Sequence, residues 1–182
     1  MIRAVPLADD LVLRLLDAGD AAALAAAYVR NREHLAPWEP AREDAFFTEQ
    51  GQAADVDAQL ASAVSGASVP LTLEERSTGR IIGRFTLSGI VRGPFQSANL
   101  GYWVDGARNG RGIATSAVRE VLRMSRDELD LHRVQAATLP HNAASQRVLE
   151  RNGFERIGFA PRYLKIAGRW QDHDLFQAIL HD

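Results

Sequence analysis

The chain has 182 residues, of which 46% are hydrophobic and 24% charged, and its formal net charge is −2. This length and apolar content predict a single domain over residues 1–182 with a substantial core. The small net charge gives no general field for nucleic acid, and the absence of cysteine excludes disulfides, thiolate zinc sites and cysteine nucleophiles. The five histidines lack metal-ligand spacing, and no apolar run approaches the roughly 20 residues that span a bilayer. With no secretory signal pattern, the sequence predicts a cytoplasmic protein that binds no metal, nucleic acid or membrane.

The predicted elements begin with a strand and two helices and continue mainly with strands. Asp17 or Asp20 is expected to cap the first helix, and Pro37 and Pro40 make the segment around Trp38 irregular. The predicted strands cover residues 11–16, 71–75, 81–90, 98–104, 134–139, 154–159, 163–167 and 174–180, and the predicted helices about 20–29, 48–65, 113–126 and 142–153. This order favours an α+β (α/β mixed) fold with a mixed, mostly antiparallel sheet of about seven strands flanked by about four helices.

A glycine-punctuated turn, Asn109-Gly110-Arg111-Gly112-Ile113-Ala114-Thr115, leads from the strand at 98–104 into the helix that follows. Such a turn bares backbone N–H groups at a helix N-terminus, where the helix dipole and the charges of Arg108 and Arg111 favour a phosphate. A Walker loop is excluded because no Gly-Lys-Ser/Thr follows Gly106 at the required spacing. A dinucleotide fingerprint is excluded because Thr115 occupies the position of its third glycine. A phosphate cradle remains, and the alternative is a strand-to-helix connection that binds nothing.

Several separate motifs, in order and spacing, carry a resemblance to a known family. They are the turn Gly110-Arg111-Gly112-Ile113-Ala114-Thr115, Leu131-His132-Arg133-Val134, Asn142-Ala143-Ala144-Ser145-Gln146-Arg147-Val148-Leu149-Glu150 and Asn152-Gly153-Phe154. The chain resembles the GNAT acyltransferases, and within them the Rim-type branch of ribosomal-protein N-terminal acetyltransferases. Similarity extends to Asn31-Arg32-Glu33-His34-Leu35 with Pro37-Trp38, and to the segment Gly168-Arg169-Trp170-Gln171-Asp172-His173. Nearly the whole chain is therefore covered.

The resemblance implies an N-acetyltransferase that moves the acetyl group of acetyl-CoA directly to a primary amine, with CoA as product. A protein or peptide N-terminal amine is the acceptor that the Rim-type branch suggests. A small-molecule amine (an antibiotic, a polyamine or an amino sugar) is the alternative acceptor. A non-catalytic acyl-CoA-binding regulatory module is the alternative class of function. The expected assembly is a monomer or a homodimer.

The resemblance also implies a cofactor-binding set and a catalytic pair. A strand ending in Trp103-Val104 is expected to splay from its neighbour and pair its backbone with the pantetheine arm. The expected cofactor-binding residues are Trp103, Val104, Asn109, Gly110, Arg111, Gly112, Ile113, Ala114, Thr115, Asn142 and Arg147. Asn109 departs from the family, which usually has Gln or Arg there. Asn142 and Ser145 are the expected catalytic residues, Asn142 on the pantetheine amides and Ser145 on the leaving thiolate; an N-cap and a surface serine are the structural alternatives.

For the acceptor, the resemblance implies a groove whose expected substrate-binding residues are Trp38, Glu39 and Tyr163. Trp38 would form a wall of the acceptor groove or else plug the edge of the core, and Tyr163 would pack on the sheet or line the same groove. The general base stays open, because residues 97–100 and 159–170 carry no carboxylate where related enzymes have a glutamate. Glu39, His34, His141, Asp172 and a water chain are the alternatives, since a peptide N-terminal amine with a pKa near 8 needs little help.

Overall fold

The computed structural model describes residues 2–7 and 10–181, so residues 1, 8, 9 and 182 of the predicted domain lie outside this description. The strands are β1 (Val5–Pro6), β2 (Leu11–Leu15), β3 (Ser68–Glu75), β4 (Arg80–Val91), β5 (Ser97–Val104), β6 (Arg133–Thr138), β7 (Glu155–Ile166) and β8 (Arg169–Ile179). The α-helices are α1 (Ala21–Arg30), α2 (Arg32–Leu35), α3 (Glu49–Val64), α4 (Ile113–Asp127) and α5 (Ala143–Arg151). One sheet joins the strands in the order β1-β2-β3-β4-β5-β6-β8-β7.

The sheet is mixed and mostly antiparallel, which confirms the predicted α+β class. Among the described strands, every neighbouring pair is antiparallel except β5 and β6. The described residues form eight strands and five α-helices, against a predicted sheet of about seven strands with about four helices. The eight predicted strand segments correspond to seven of the observed strands, because two of them are joined in β7. The unpredicted elements are β1 with two residues and α2 with four, which are too short to produce a periodic pattern.

Local capping explains where the helices begin and end. Thr48 Oγ1 accepts a hydrogen bond from Gly51 N at 3.1 Å at the start of α3, and Asn142 Oδ1 accepts one from Ser145 N at 3.1 Å at the start of α5. Gly153 follows α5 with φ of +77°, the left-handed conformation of a C-terminal stop. Before α1, Asp17 caps the 3-10 turn Ala18–Asp20 that leads into the helix, and Asp20 occupies the N-cap position of α1 without a side-chain hydrogen bond to the helix.

Each face of the sheet has its own apolar core. The face under α4 and α5 buries Phe85, Val118, Leu149 and Phe176, among others. The opposite face, under α1 and α3, buries Leu24, Val56, Ile81 and Trp103. Successive side chains of a strand point to opposite faces of the sheet. In β4, Arg84 therefore lies on the face under α1 and α3, whereas the following residue, Phe85, lies on the face under α4 and α5.

The closing strands differ from the prediction. Residues 154–159 and 163–167 were expected as two strands, but β7 is continuous from Glu155 to Ile166, with a register shift between Ala160 and Leu164. At this bulge Arg162 has φ of +49°, and its N–H donates to Asp172 Oδ1 at 2.8 Å. Asp172 lies within β8 and stabilises this bulge. A bulge interrupts the alternation of side chains without ending the strand, which is why the sequence pattern predicted two strands.

Two further observations concern ligands and membranes. Within residues 2–7 and 10–181, no helix combines the length and apolar character needed to cross a membrane. The same residues contain no group of three or more His, Cys, Asp or Glu side chains arranged to hold a metal ion.

Gly51 supplies a test of the packing between α3 and the turn that precedes it. A Cβ at this position would lie 1.9 Å from the carbonyl oxygen of Ala45. Gly51→Ala should therefore lower the free energy of unfolding by about 1–3 kcal/mol, as overpacking does. A helical glycine replaced without a clash would instead gain about 0.5–1 kcal/mol. Urea denaturation measures the sign; Gly158→Ala, where a Cβ meets no atom within 4 Å, is the control. Increased stability of Gly51→Ala would contradict the described packing.

Candidate functional site

The parallel strands β5 and β6 are paired over a short stretch and then separate. They pair at Ser97 with Arg133, at Ala98 with Val134 and at Asn99 with Gln135, whereas both strands continue beyond these pairs. The edge of β5 from residue 100 onward therefore faces a gap, and backbone groups on that edge are open to an extended ligand. A cavity of about 670 Å³ is lined by both strands and by residues on both faces of the sheet.

The glycine turn forms an open cradle at one end of this cavity. Gly110 and Gly112 have φ of +77° and +75°, and Gly112 is the N-cap of α4. The first helical hydrogen bond runs from Ser116 N to Gly112 O at 3.0 Å, so the N–H groups of residues 113–115 point out of the helix end. A Cβ at either glycine would meet no heavy atom within 4 Å, so the space in front of these N–H groups is free for an anion.

The turn before the cradle is tied to α1. Asn31 Oδ1 accepts a hydrogen bond from Gly106 N at 2.9 Å, and Asp105 accepts bonds from Ala107 N at 3.0 Å and Arg30 Nε at 2.7 Å. Burial alone would raise the pKa of Asp105, but the bonds from Arg30 and Ala107 outweigh it and leave the pKa below its ordinary value. Asp105 therefore stays ionised and holds the turn at neutral pH.

Arg108 contributes less to the cradle than the sequence suggested. Its guanidinium forms an ion pair with Glu75 of β3. The charge of Arg108 is thus partly neutralised within the fold, and the exposed Arg111 is the arginine of the turn that remains open to solvent.

A hydroxyl pair lies where β5 approaches α5. The hydroxyl oxygens of Tyr102 and Ser145 are 2.9 Å apart, and the Tyr102 ring stacks on Phe85 at 5.5 Å between ring centroids. Burial raises the pKa of Tyr102 to about 12, against a smaller opposing effect of the bond with Ser145. Tyr102 therefore keeps its proton at neutral pH and can donate to Ser145 Oγ, which leaves the Ser145 proton free to point into the cavity. The sequence analysis did not include Tyr102 among the site residues. The alternation of side chains along β5 places Tyr102 on the face opposite that of Trp103, where it meets Phe85.

On the α1 and α3 side, the cavity wall contains a buried polar network. Arg84 Nη1 lies 3.1 Å from Asp55 Oδ2 and 3.4 Å from Tyr28 OH, which also accepts from Trp103 Nε1 at 3.1 Å. Burial acts to lower the pKa of Arg84, but Tyr28 and Asp55 outweigh it and raise the pKa above its ordinary value. None of Arg84, Asp55 and Tyr28 was predicted; the signal was a lone charged residue in the apolar strand pattern at 81–90.

Glu39 and Trp38 belong to the irregular loop after α2. Both are half-buried and line the cavity. Burial raises the pKa of Glu39; Arg42 and Arg84 oppose that rise, and Asp55 adds to it. The loop is joined to the β7–β8 hairpin, because Ala167 N donates to Glu39 O at 2.9 Å. The sequence therefore located a segment that does reach the cavity.

Most of the predicted site residues share this one cavity wall. Those in the wall are Trp38, Glu39, Trp103, Val104, Asn109, Gly110, Gly112, Ile113, Ala114, Thr115, Asn142, Ser145 and Arg147. Arg111 and Tyr163 lie outside it; Tyr163 is 43% exposed beside the β7 bulge. Of the candidate bases, His34 and Glu39 line the cavity, whereas His141 and Asp172 do not, and His173, which was not predicted, also lies in the wall.

The side chain of Trp103 and that of Asn142 have structural roles as well. Trp103 is 8% exposed and packs in the core under α1 and α3, so β5 offers a ligand its backbone at this position. Asn142 caps α5, as the structural alternative required, and it also lies in the cavity wall. The two interpretations of Asn142 are therefore compatible.

Comparisons with known proteins identify the family and agree with the fold. Residues 10–155 match the model of the acetyltransferase (GNAT) domain. The chain is 35% identical over 167 residues to the ribosomal protein uS5-alanine N-acetyltransferase of Escherichia coli (strain K12), which covers 92% of this chain and 86% of the relative. The ribosomal-protein-S5-alanine acetyltransferase of Vibrio fischeri superposes with a TM-score of 0.94 at 34% identity, over 100% of this chain and 98% of that one. Mycobacterium smegmatis RimJ in complex with CoA-disulfide superposes with a TM-score of 0.88 at 32% identity, over 93% of this chain and 81% of that one.

The cradle yields a test of phosphate binding with CoA as the probe. Gly112→Asp places a carboxylate in front of the N–H groups at the start of α4, so CoA affinity measured by calorimetry should fall at least about tenfold. Gly66→Asp is a matched control, because Gly66 has the same φ of +75° and equally open space but lies outside the cavity wall. Equal affinities for the two variants would contradict a phosphate site at the cradle.

Proposed function

The chain belongs to the GNAT family of acetyl-CoA-dependent N-acetyltransferases, and from that premise we propose that it acetylates the N-terminal α-amine of a protein or peptide. The observation that carries the proposal is the single cavity that includes the glycine cradle, the gap beside β5 and the polar pocket under α1 and α3. Through the gap between β5 and β6, an amine in this pocket can reach the acetyl donor bound on the other side of the sheet. The named relatives, which act on an alanine of a ribosomal protein, support a protein acceptor. They also favour a cytoplasmic location.

For the donor side, we propose that the cradle holds phosphate oxygens by backbone N–H groups. Residues 110–115 provide those groups, and the exposed Arg111 and Arg147 add positive charge at the same end. The unpaired edge of β5 and the side chain of Asn142 are suited to the amides of an extended pantetheine arm. Acetyl-CoA, when bound, supplies the activated thioester carbonyl.

For the chemical step, we propose that β5 and Ser145 act on opposite ends of the thioester. A backbone N–H of β5 donates to the carbonyl oxygen and stabilises the negative charge that develops there. Ser145 donates its proton to the departing sulfur and takes one back from solvent once CoA has formed, while the hydrogen bond from Tyr102 to Ser145 Oγ, at 2.9 Å, makes the Ser145 proton more acidic. The pair supports catalysis over a merely CoA-binding module, because binding alone requires no proton donor at this position.

We propose Glu39 as the group that accepts the proton of the attacking amine. Of the four side chains considered as bases, only Glu39 and His34 line the cavity. Burial raises the pKa of Glu39, so its carboxylate is more basic than an exposed one and better matched to proton transfer near neutral pH. His34 is engaged with Asn109, whose amide nitrogen lies 3.4 Å from His34 Nε2.

The acceptor class can be tested directly by thiol release from acetyl-CoA. Peptides with a free N-terminal alanine should give turnover, whereas the same peptides with a blocked N-terminus should give none. Polyamines, aminoglycosides and amino sugars, tested in parallel, should have kcat/KM at least about tenfold lower, as expected for acceptors that do not fit the pocket. A higher kcat/KM for any of these small amines would overturn the peptide proposal, and CoA binding without turnover on every amine would favour the regulatory module.

The proposed proton donor makes a separate prediction. Ser145→Ala should lower kcat about 10²-fold and leave the KM for acetyl-CoA unchanged, because the interaction is needed when the sulfur departs. Tyr102→Phe should lower kcat by about tenfold, the effect of one lost hydrogen bond. Ser62→Ala, a helical serine of α3 outside the cavity wall, is the control and should match the unmodified enzyme. Full activity of Ser145→Ala would remove Ser145 from the chemical step.

A further inference from the structure

A buried guanidinium on the acceptor side of the cavity has an unused hydrogen-bond donor. Arg84 is 5% exposed and lines the cavity. Its Nη1 contacts Asp55 and Tyr28, whereas its Nη2 is buried without a hydrogen-bond partner among the described residues. Buried donors of charged groups are nearly always paired in native proteins. The unpaired nitrogen therefore points to an acceptor atom that arrives with a ligand.

The charges around Arg84 identify the kind of acceptor atom. Asp55 lies 3.1 Å from Arg84 Nη1 and neutralises its charge, and Glu39 lines the same part of the cavity. Arg42, which also lines the cavity and stacks on Phe46, offsets the charge of Glu39. A ligand carboxylate beside Arg84 would still meet Asp55 as a like charge, so it is disfavoured. A neutral carbonyl oxygen accepts from Nη2 without that repulsion. An ammonium group is attracted to the carboxylate of Glu39 by its charge, and a neutral amine can donate a hydrogen bond to it.

An N-terminal residue carries these two groups on one carbon atom. Its α-amine and its carbonyl group are both attached to Cα, so a pocket with a carboxylate and an unpaired guanidinium N–H can bind both together. We propose that Arg84 binds the carbonyl oxygen of the acceptor's first residue and thereby selects an α-amine beside a carbonyl over other primary amines. The inference rests on the proposed function, since it specifies which amines that site accepts.

The unmodified enzyme provides the first test. Alaninamide and isopropylamine share the CH3–CH–NH2 unit, but alaninamide carries a carboxamide, with its carbonyl group, where isopropylamine has a methyl group. Their kcat/KM values are compared at equal concentrations of the neutral amine, because isopropylamine is the more basic compound. Alaninamide should be preferred by about 10–100-fold, the effect of a hydrogen bond to a charged group. Equal values would overturn the inference, and so would a preference for free alanine over alaninamide, which would indicate a carboxylate site.

The second test assigns the preference to Arg84. Arg84→Met keeps the length of the side chain and removes its donors, so the ratio of kcat/KM for alaninamide to that for isopropylamine should fall toward one. Arg84→Lys retains one donating group and should restore part of the ratio. Arg126→Met, an exposed arginine of α4, is the control and should keep the original ratio. An unchanged ratio in Arg84→Met would show that another residue recognises the carbonyl.

Further measurements distinguish a failure of this inference from misfolding of the variant and from failure of the proposed function. CoA affinity and thermal denaturation report whether Arg84→Met is folded with its donor site intact; if it does not fold, the comparison of the two amines with the unmodified enzyme decides alone. Failure of the proposed function would appear as no transfer to any N-terminal peptide. Failure of the inference alone would appear as transfer to peptides and simple amines with the same kcat/KM.

Discussion

The early separation of β5 from β6 is the constraint on which the rest of the structure depends. These strands share only three residue pairs, at 97–99 and 133–135, and the sheet is otherwise continuous from β1 to β7. A sheet normally satisfies its backbone groups internally, so an unpaired stretch in its middle must be satisfied by something else. The separation also joins the two faces of the sheet through one cavity. In the proposed function, donor and acceptor approach this cavity from opposite faces, so the large cofactor and a bulky peptide do not compete for the same space.

Burial raises the pKa of two side chains of this cavity, and it makes one of them a lasting proton donor and the other a stronger proton acceptor. Burial raises the pKa of Tyr102 to about 12, so the phenol remains a donor, and it raises the pKa of Glu39, so the carboxylate binds a proton more strongly. Both effects have the same physical origin, because a less polar environment disfavours each charged form. The sheet separates the two roles. Tyr102 packs with Phe85 on the α4 and α5 side, and Glu39 lies in the loop above the other face.

The parts of the site that could be predicted from sequence are those set by local geometry. The cradle depends on glycine conformation and a helix N-terminus within seven consecutive residues, and Asn142 and Gly153 limit α5 through adjacent backbone groups. Arg84 could not be assigned in this way. Its partners, Asp55 and Tyr28, come from two helices that meet β4 only in the folded chain. The joining of two predicted strands into β7 has a similar cause, because Asp172 of the neighbouring strand holds the bulge at Arg162.

The hydrogen bond from Ala167 N to Glu39 O connects segments far apart in the chain. It joins the turn of the β7–β8 hairpin to the loop that carries Trp38, and both segments are distinct from the cradle and from α5. The proposed acceptor pocket thus combines connecting segments with Arg84, Asp55 and Tyr28 of β4, α3 and α1, whereas the proposed donor site contains no part of this loop or hairpin turn. Changes in the length or composition of the hairpin turn can reshape the pocket while the cradle stays intact. This division gives a physical route by which one acetyl-CoA scaffold acquires different acceptors during evolution.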